Sequence, residues 1–142
     1  MAKILIIIIV SLFVNHAYGD DKKINERISN FKNSKKAMHQ IKESIIKDSY
    51  LQANDNALFL YNWFKILPSF FPKGSESSIS NNSDASFEIW ENFDLFQKYS
   101  ANSKIISLSI LKSLEKNDRE NVKVKFDQLA RSCSTCHKKF RN

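Results

Sequence analysis

Turn-forming residues are scarce in this chain. It has two glycines and two prolines in 142 residues, far fewer than the many tight turns of an all-β domain require. The glycines form no GxGxxG, GxxxxGK[ST] or GxSxG motif, so dinucleotide, P-loop and nucleophile-elbow chemistry have no backbone to stand on. Histidines number three and cysteines two, and no pairing of a base with a nucleophile suggests an enzyme. There is no internal repeat.

Acidic residues are outnumbered: 15 Asp and Glu stand against 22 Lys and Arg, for a net charge of +7. The positive charge is spread through "KKINER", "NSKKAMHQIK" and "KNDRENVKVK", the pattern of solvated helix faces. A nucleic-acid partner would call for a clustered patch with interleaved aromatics, which is missing. A basic face of this kind can still steer an acidic protein partner.

Long apolar runs are also absent, with one exception. Ile4–Val14, broken only by Ser11, follows a short start carrying Lys3 and precedes Ala17-Tyr18-Gly19. This is the layout of a secretory signal, cleaved between Gly19 and Asp20. The run is shorter than the roughly 20 residues that a membrane span needs, which argues against an uncleaved anchor. The expected organisation is a signal peptide at 1–19 and one exported domain at 20–142, periplasmic and free of the membrane after cleavage.

Four segments of the domain have helical periodicity. In the first, about Lys22 to Lys47, Ile24, Ile28, Phe31, Met38, Ile41 and Ile45 share a face. The second, about Tyr50 to Leu67, ends at Pro68, because a residue before proline is pushed out of helical geometry. A Ser- and Asn-rich connection, "PSFFPKGSESSISNNSDASF", follows and reads as a loop. The third helix runs from about Asn92 to Lys116. Asp118 is a fitting N-cap for the fourth, about Arg119 to Phe140, whose inward stripe holds Cys133 and His137. The fold class is all-α, an antiparallel four-helix bundle with its longest connection in the middle.

The cysteines sit in "CSTCH", the C-x-x-C-H attachment motif of a c-type haem. Cys133 and Cys136, three apart, lie on one helix face and can form two thioethers to one porphyrin. His137 follows at once and can supply the proximal iron ligand. Three other readings compete: a disulfide in an oxidising compartment, a thioredoxin-like pair that would need a βαβ context, and a zinc site for which the domain offers only His39 as a further histidine. A motif at the very end of the chain differs from ordinary small cytochromes c, so any second axial group must come from an earlier helix.

Over essentially the whole domain the chain resembles class II cytochromes c, the cytochrome c′ family. The resemblance is carried by Arg27 with Phe31 four residues on, "LPSFFPKGSE", "EIWENFDLF" and the terminal "CSTCHKKFR". It implies a four-helix bundle around one haem c, with Cys133 and Cys136 as thioether sites and His137 as proximal ligand. It implies Arg27 against a haem propionate and Asp84 in a loop near the haem. Arg141 falls one turn beyond His137, either over the proximal face or simply against the helix dipole. Ile28 departs from the family, which often has Gln there, so one polar propionate contact is expected to be missing. The residue four after the arginine is the distal one. Here it is Phe31, which cannot bind iron, so the expectation is a five-coordinate haem suited to NO or CO, to electron transfer with a redox partner protein, or to both. An apolar ring there offers bound O₂ no hydrogen-bond donor. Met38 or His39 as sixth ligand would instead give a low-spin electron shuttle, and a haemless helical interaction protein is a third reading. The family also implies a homodimer through the first two helices.

Overall fold

The computed structural model describes the backbone of residues 2–142 and the side chains of residues 21–142. The expected signal peptide, residues 1–19, lies outside the residues whose side chains are described. The elements in order are α1 (Ala2–Ile46), α2 (Ala53–Ile66), a 3₁₀ turn (Leu67–Phe70), α3 (Glu88–Glu91), α4 (Phe93–Glu115) and α5 (Arg119–Phe140). Helices α1, α2, α4 and α5 form the bundle. Among the described residues there is no strand beyond one isolated bridge, Ala85 to Arg141, and no helix long and apolar enough to cross a membrane.

The helix ends follow local chemistry. Asp48 and Asn117 take left-handed backbone (φ 51° and 53°) just past the ends of α1 and α4, a conformation that Asp and Asn tolerate better than most residues. The Asp118 carboxylate accepts the Asn121 amide at 3.1 Å, capping α5 as expected. Pro68 falls inside the 3₁₀ turn that closes α2. The third segment differs from expectation. A four-residue helix, α3, precedes it, and Asn92 (φ −126°, ψ 42°) separates the two.

Ile41, Leu60, Ile110 and Leu129, one from each long helix, are fully buried at the bundle axis. Each completely buried Leu or Ile contributes about 1.5–3 kcal/mol over its exposed state. On α4, Ser100, Ser103 and Ser107 are buried alongside Phe96 and Ile110, while Tyr99 and Ile106 are only half-buried. The serine hydroxyls do not go unmet: Ser107 donates to the Ser103 carbonyl at 2.9 Å, and Ser100 crosses to the Phe64 carbonyl of α2 at 2.6 Å. Small side chains of this kind let α4 run close to α2 and α5, with which it packs extensively. The seam between α1 and α5 is by comparison sparsely packed.

Candidate functional site

The predicted ligands lie on that sparse seam. Phe31 of α1 and His137 of α5 face each other with ring centroids 6.0 Å apart and planes at 70°. Cys133 and Cys136, on the same side of α5, are half-buried against the core. Exposed Ala130 and Ser134 flank them on α5 and leave the seam without bulky filling. Behind Phe31, Trp63 meets it edge-on at 5.5 Å and 89°, and Phe70 backs Trp63 at 5.2 Å. Met38 is partly buried against the core, two turns along α1 from Phe31, and His39 is exposed.

The electrostatics keep these groups neutral. Burial raises Cys133 to about 11. Burial, then the neighbouring Cys133, raises Cys136 to about 12, so both sulfurs are thiols at neutral pH. They are free rather than joined in a disulfide. Desolvation, then the positive charge of Arg141, lowers His137 below its ordinary value. Its imidazole therefore keeps a free lone pair at neutral pH. Among the described residues no cluster of three or more His, Cys, Asp or Glu gathers, so a zinc site has no ligand set there.

Arg27 lies one turn before Phe31 and is 2% exposed. It grips the long connection. One terminal nitrogen donates to the Phe70 carbonyl at 3.2 Å and to the Ser75 hydroxyl at 2.7 Å. The other donates to the Ser75 carbonyl and, at 2.5 Å, to the Ser83 hydroxyl. The guanidinium also lies 4.4 Å over the Phe71 ring. All these partners are neutral, and Arg27 forms no ion pair among the described residues. Burial lowers it to about 10, only partly opposed by Glu76, so at neutral pH it is a buried cation. Gly74, with φ 85° and open space where a Cβ would stand, makes the turn that presents Ser75; only its backbone conformation requires glycine.

Asp84 lies away from the rings, at the C-terminal end of α5. Its carboxylate takes both Nε and Nη2 of Arg141, at 3.1 and 2.6 Å. Asn142 donates to the Asp84 carbonyl and Ser86 to the Phe140 carbonyl, each at 3.0 Å. Arg141 itself caps α5, its amide bonding the His137 carbonyl at 3.0 Å. The loop is thus fastened to the turn that carries His137. Sequence reasoning missed Ser75 and Ser83 as partners of Arg27, and Trp63 beside Phe31. "GSES" after the predicted loop proline was the one available signal, since serine beside a glycine turn commonly presents polar groups.

The donor set fits a haem. Two protonated thiols at one-turn spacing suit thioether formation, a neutral imidazole suits iron, and the buried Arg27 charge lacks the anion that a propionate would provide.

Comparison with known proteins agrees. Residues 22–141 match the family model described as Cytochrome C′. No curated protein sequence matches the chain. Among solved structures it is similar to the cytochrome c′ of Thermochromatium tepidum (TM-score 0.80, 16% identity, 86% of this chain and 95% of that one). It is equally similar to a cytochrome c′ described by its unusual ligand-controlled dimer dissociation (TM-score 0.79, 16% identity, 86% and 95%). A third is a mutant of the Alcaligenes xylosoxidans protein in its nitric oxide complex (TM-score 0.75, 17% identity, 87% and 95%). At such identities the structures speak for the fold. The family match over nearly the whole described domain, together with the free cysteine pair on α5, settles the rest: the chain belongs to the cytochrome c′ family, and its cofactor is covalently attached haem c.

Proposed function

We propose that this protein is an exported, periplasmic cytochrome whose haem iron has one protein ligand. Its role is to bind NO or CO, to transfer electrons, or both. The observation that carries the reading is Phe31. Its ring stands across the seam from His137 at 6.0 Å, where a residue able to ligate iron would have to stand.

Each residue then has a task. Cys133 and Cys136 would hold the haem vinyl groups through their sulfurs along α5. His137, oriented by the capped end of its helix, would give its lone pair to iron. Arg27 would meet a propionate with its uncompensated charge, and Asp84 would support the proximal side by holding Arg141. Phe31 shields the opposite face from water and ligating side chains. Haem so held supplies a redox-active iron with one open position. Two variants of the Alcaligenes xylosoxidans protein are described as ligand complexes, one with nitric oxide and one with carbon monoxide, which supports the gas-binding part. A homodimer through α1 and α2 is part of the same reading, with Leu58 and Ile66 exposed on α2.

Optical spectra of the purified protein test this. The ferrous form is expected to be high-spin, to lack a sharp low-spin α band, and to bind CO slowly, because a packed ring must move aside. Phe31→Met should supply a sixth ligand and shift the spectrum toward low spin. A low-spin wild type that becomes high-spin in Met38→Leu would overturn the reading in favour of an electron shuttle ligated by Met38.

A further inference from the structure

We propose that the outer side of α1 and the last turns of α5 form a docking face for an acidic electron-carrier protein, seated over the α1–α5 seam. The proposal deepens the haem reading and depends on it only for where the electron goes.

The charges on this face are segregated. From Arg27 to Lys42 there is no Asp or Glu, and from Gln128 to Asn142 there is none either. These are the two stretches that bring Phe31 and His137 together. Lys32, Lys35, Lys36 and Lys42 on α1, with Arg131 and Lys138 on α5, are exposed, and none has an ion-pair partner among the described residues. Lys139 and Arg141 are different, being paired with Glu88 and Asp84. Of the acids bordering the face, Glu26 and Glu43 are paired with Lys22 and Lys47, which leaves Asp127 as the unpaired carboxylate at its edge. Helix α4 has an acid-free stretch too, Leu95–Leu114, but with only Lys98, Lys104 and Lys112 over its length.

The occupant follows from what the face does and does not offer. A second copy seated over the α1–α5 seam would bring the same charges and be repelled; the proposed dimer uses the α2 side, where Leu58 and Ile66 are exposed. A membrane-surface helix needs apolar side chains to insert. The exposed large apolar residues, including Ile46, Leu51, Ile79 and Phe87, all lie outside the two basic stretches. Nucleic acid would want exposed aromatics among the lysines, and there are none. An acidic protein gains from every one of these charges through steering and complementarity. With haem held by Cys133, Cys136 and His137, the encounter would pass one electron from the partner's reduced centre to ferric iron, with no bond made or broken.

The test uses the holoprotein and a reduced or oxidised plant-type [2Fe–2S] ferredoxin, an acidic one-electron protein, as probe. Calorimetry should show binding at low salt that weakens about tenfold or more toward physiological ionic strength, where the screening length falls to about 8 Å. Lys32→Glu with Lys35→Glu should weaken it about tenfold. Lys98→Glu with Lys112→Glu changes net charge equally and should weaken it about twofold or less. Unchanged haem spectra in both variants show that fold and site are intact. Equal weakening by the two pairs means that only net charge matters and overturns the proposal, as does absence of binding at low salt. Binding of the holoprotein to phosphatidylglycerol vesicles that Lys32→Glu with Lys35→Glu abolishes makes a membrane the occupant and also overturns it. Calorimetry does not depend on colour, so a colourless protein that still binds ferredoxin leaves the face standing and removes the haem reading alone.

Discussion

Arg27 shows at residue scale how one side chain joins a helix to a loop. Its forked guanidinium reaches two backbone carbonyls and two serine hydroxyls at once. A lysine at this position would keep the charge but not the fork. Arg27→Lys is therefore expected to leave buried acceptors unmet and to cost about 2–3 kcal/mol, read as a fall in the urea midpoint. A wild-type midpoint would show that the loop holds itself. The pH dependence has a definite sign. Arg27 is a base lowered to about 10 by burial, so its charged form is disfavoured by folding. That penalty is in full force below about 10 and is relieved only as the pH climbs toward the unfolded value. An anion beside it offsets the penalty throughout the neutral range, which is why a propionate is a fitting partner.

At the scale of elements, apolar periodicity placed the long helices well, including the cap at Asp118 and the stop before Pro68. It misjudged which residues turn inward where polarity and depth disagree. The spacing chose Ile28 for the inner face of α1, yet Ile28 is only half-buried while Arg27 is buried. On α4, Ser100 and Ser107 are as deeply buried as Phe96 and Ile110. Hydropathy cannot see either case, because both depend on acceptors supplied by other elements. The cysteines and His137 stood out as a local C-x-x-C-H motif, whereas Phe31 was singled out only through the family resemblance. Ser75, Ser83 and Trp63 were not, since their roles arise from contacts distant in sequence. The serine face makes a clear prediction. Ser107 is fully buried and its hydroxyl already bonds within its own helix. Ser107→Ala should change stability by less than about 1 kcal/mol, whereas Ser107→Leu should overpack the interface and cost about 1–3 kcal/mol. Paired denaturation curves check this; a harmless leucine would mean that the interface has room to spare.

At the scale of the whole molecule, the bundle is unevenly held. Helices α2, α4 and α5 interlock around Leu60, Ile110 and Leu129, while α1 is bound mainly to α2 and meets α5 along a narrow seam. Covalent haem at Cys133 and Cys136 would fill that seam and complete the core that protein side chains leave thin, so its loss should be felt locally first. A Cys133→Ala, Cys136→Ala double variant, which has no thioether, is expected to retain helical circular dichroism. In native-state hydrogen exchange its α1 amides from Arg27 to Met38 should lose protection by at least about tenfold relative to the holoprotein, whereas those near Leu60 and Ile110 should lose much less. The α2–α4 interface is held by protein groups, including the bond from the Ser100 hydroxyl to the Phe64 carbonyl, and the stretch of α1 around Phe31 owes part of its packing to whatever lies between it and His137. Equal loss of protection in all four long helices would show instead that the bundle opens as a single unit, with the cofactor supporting every interface alike.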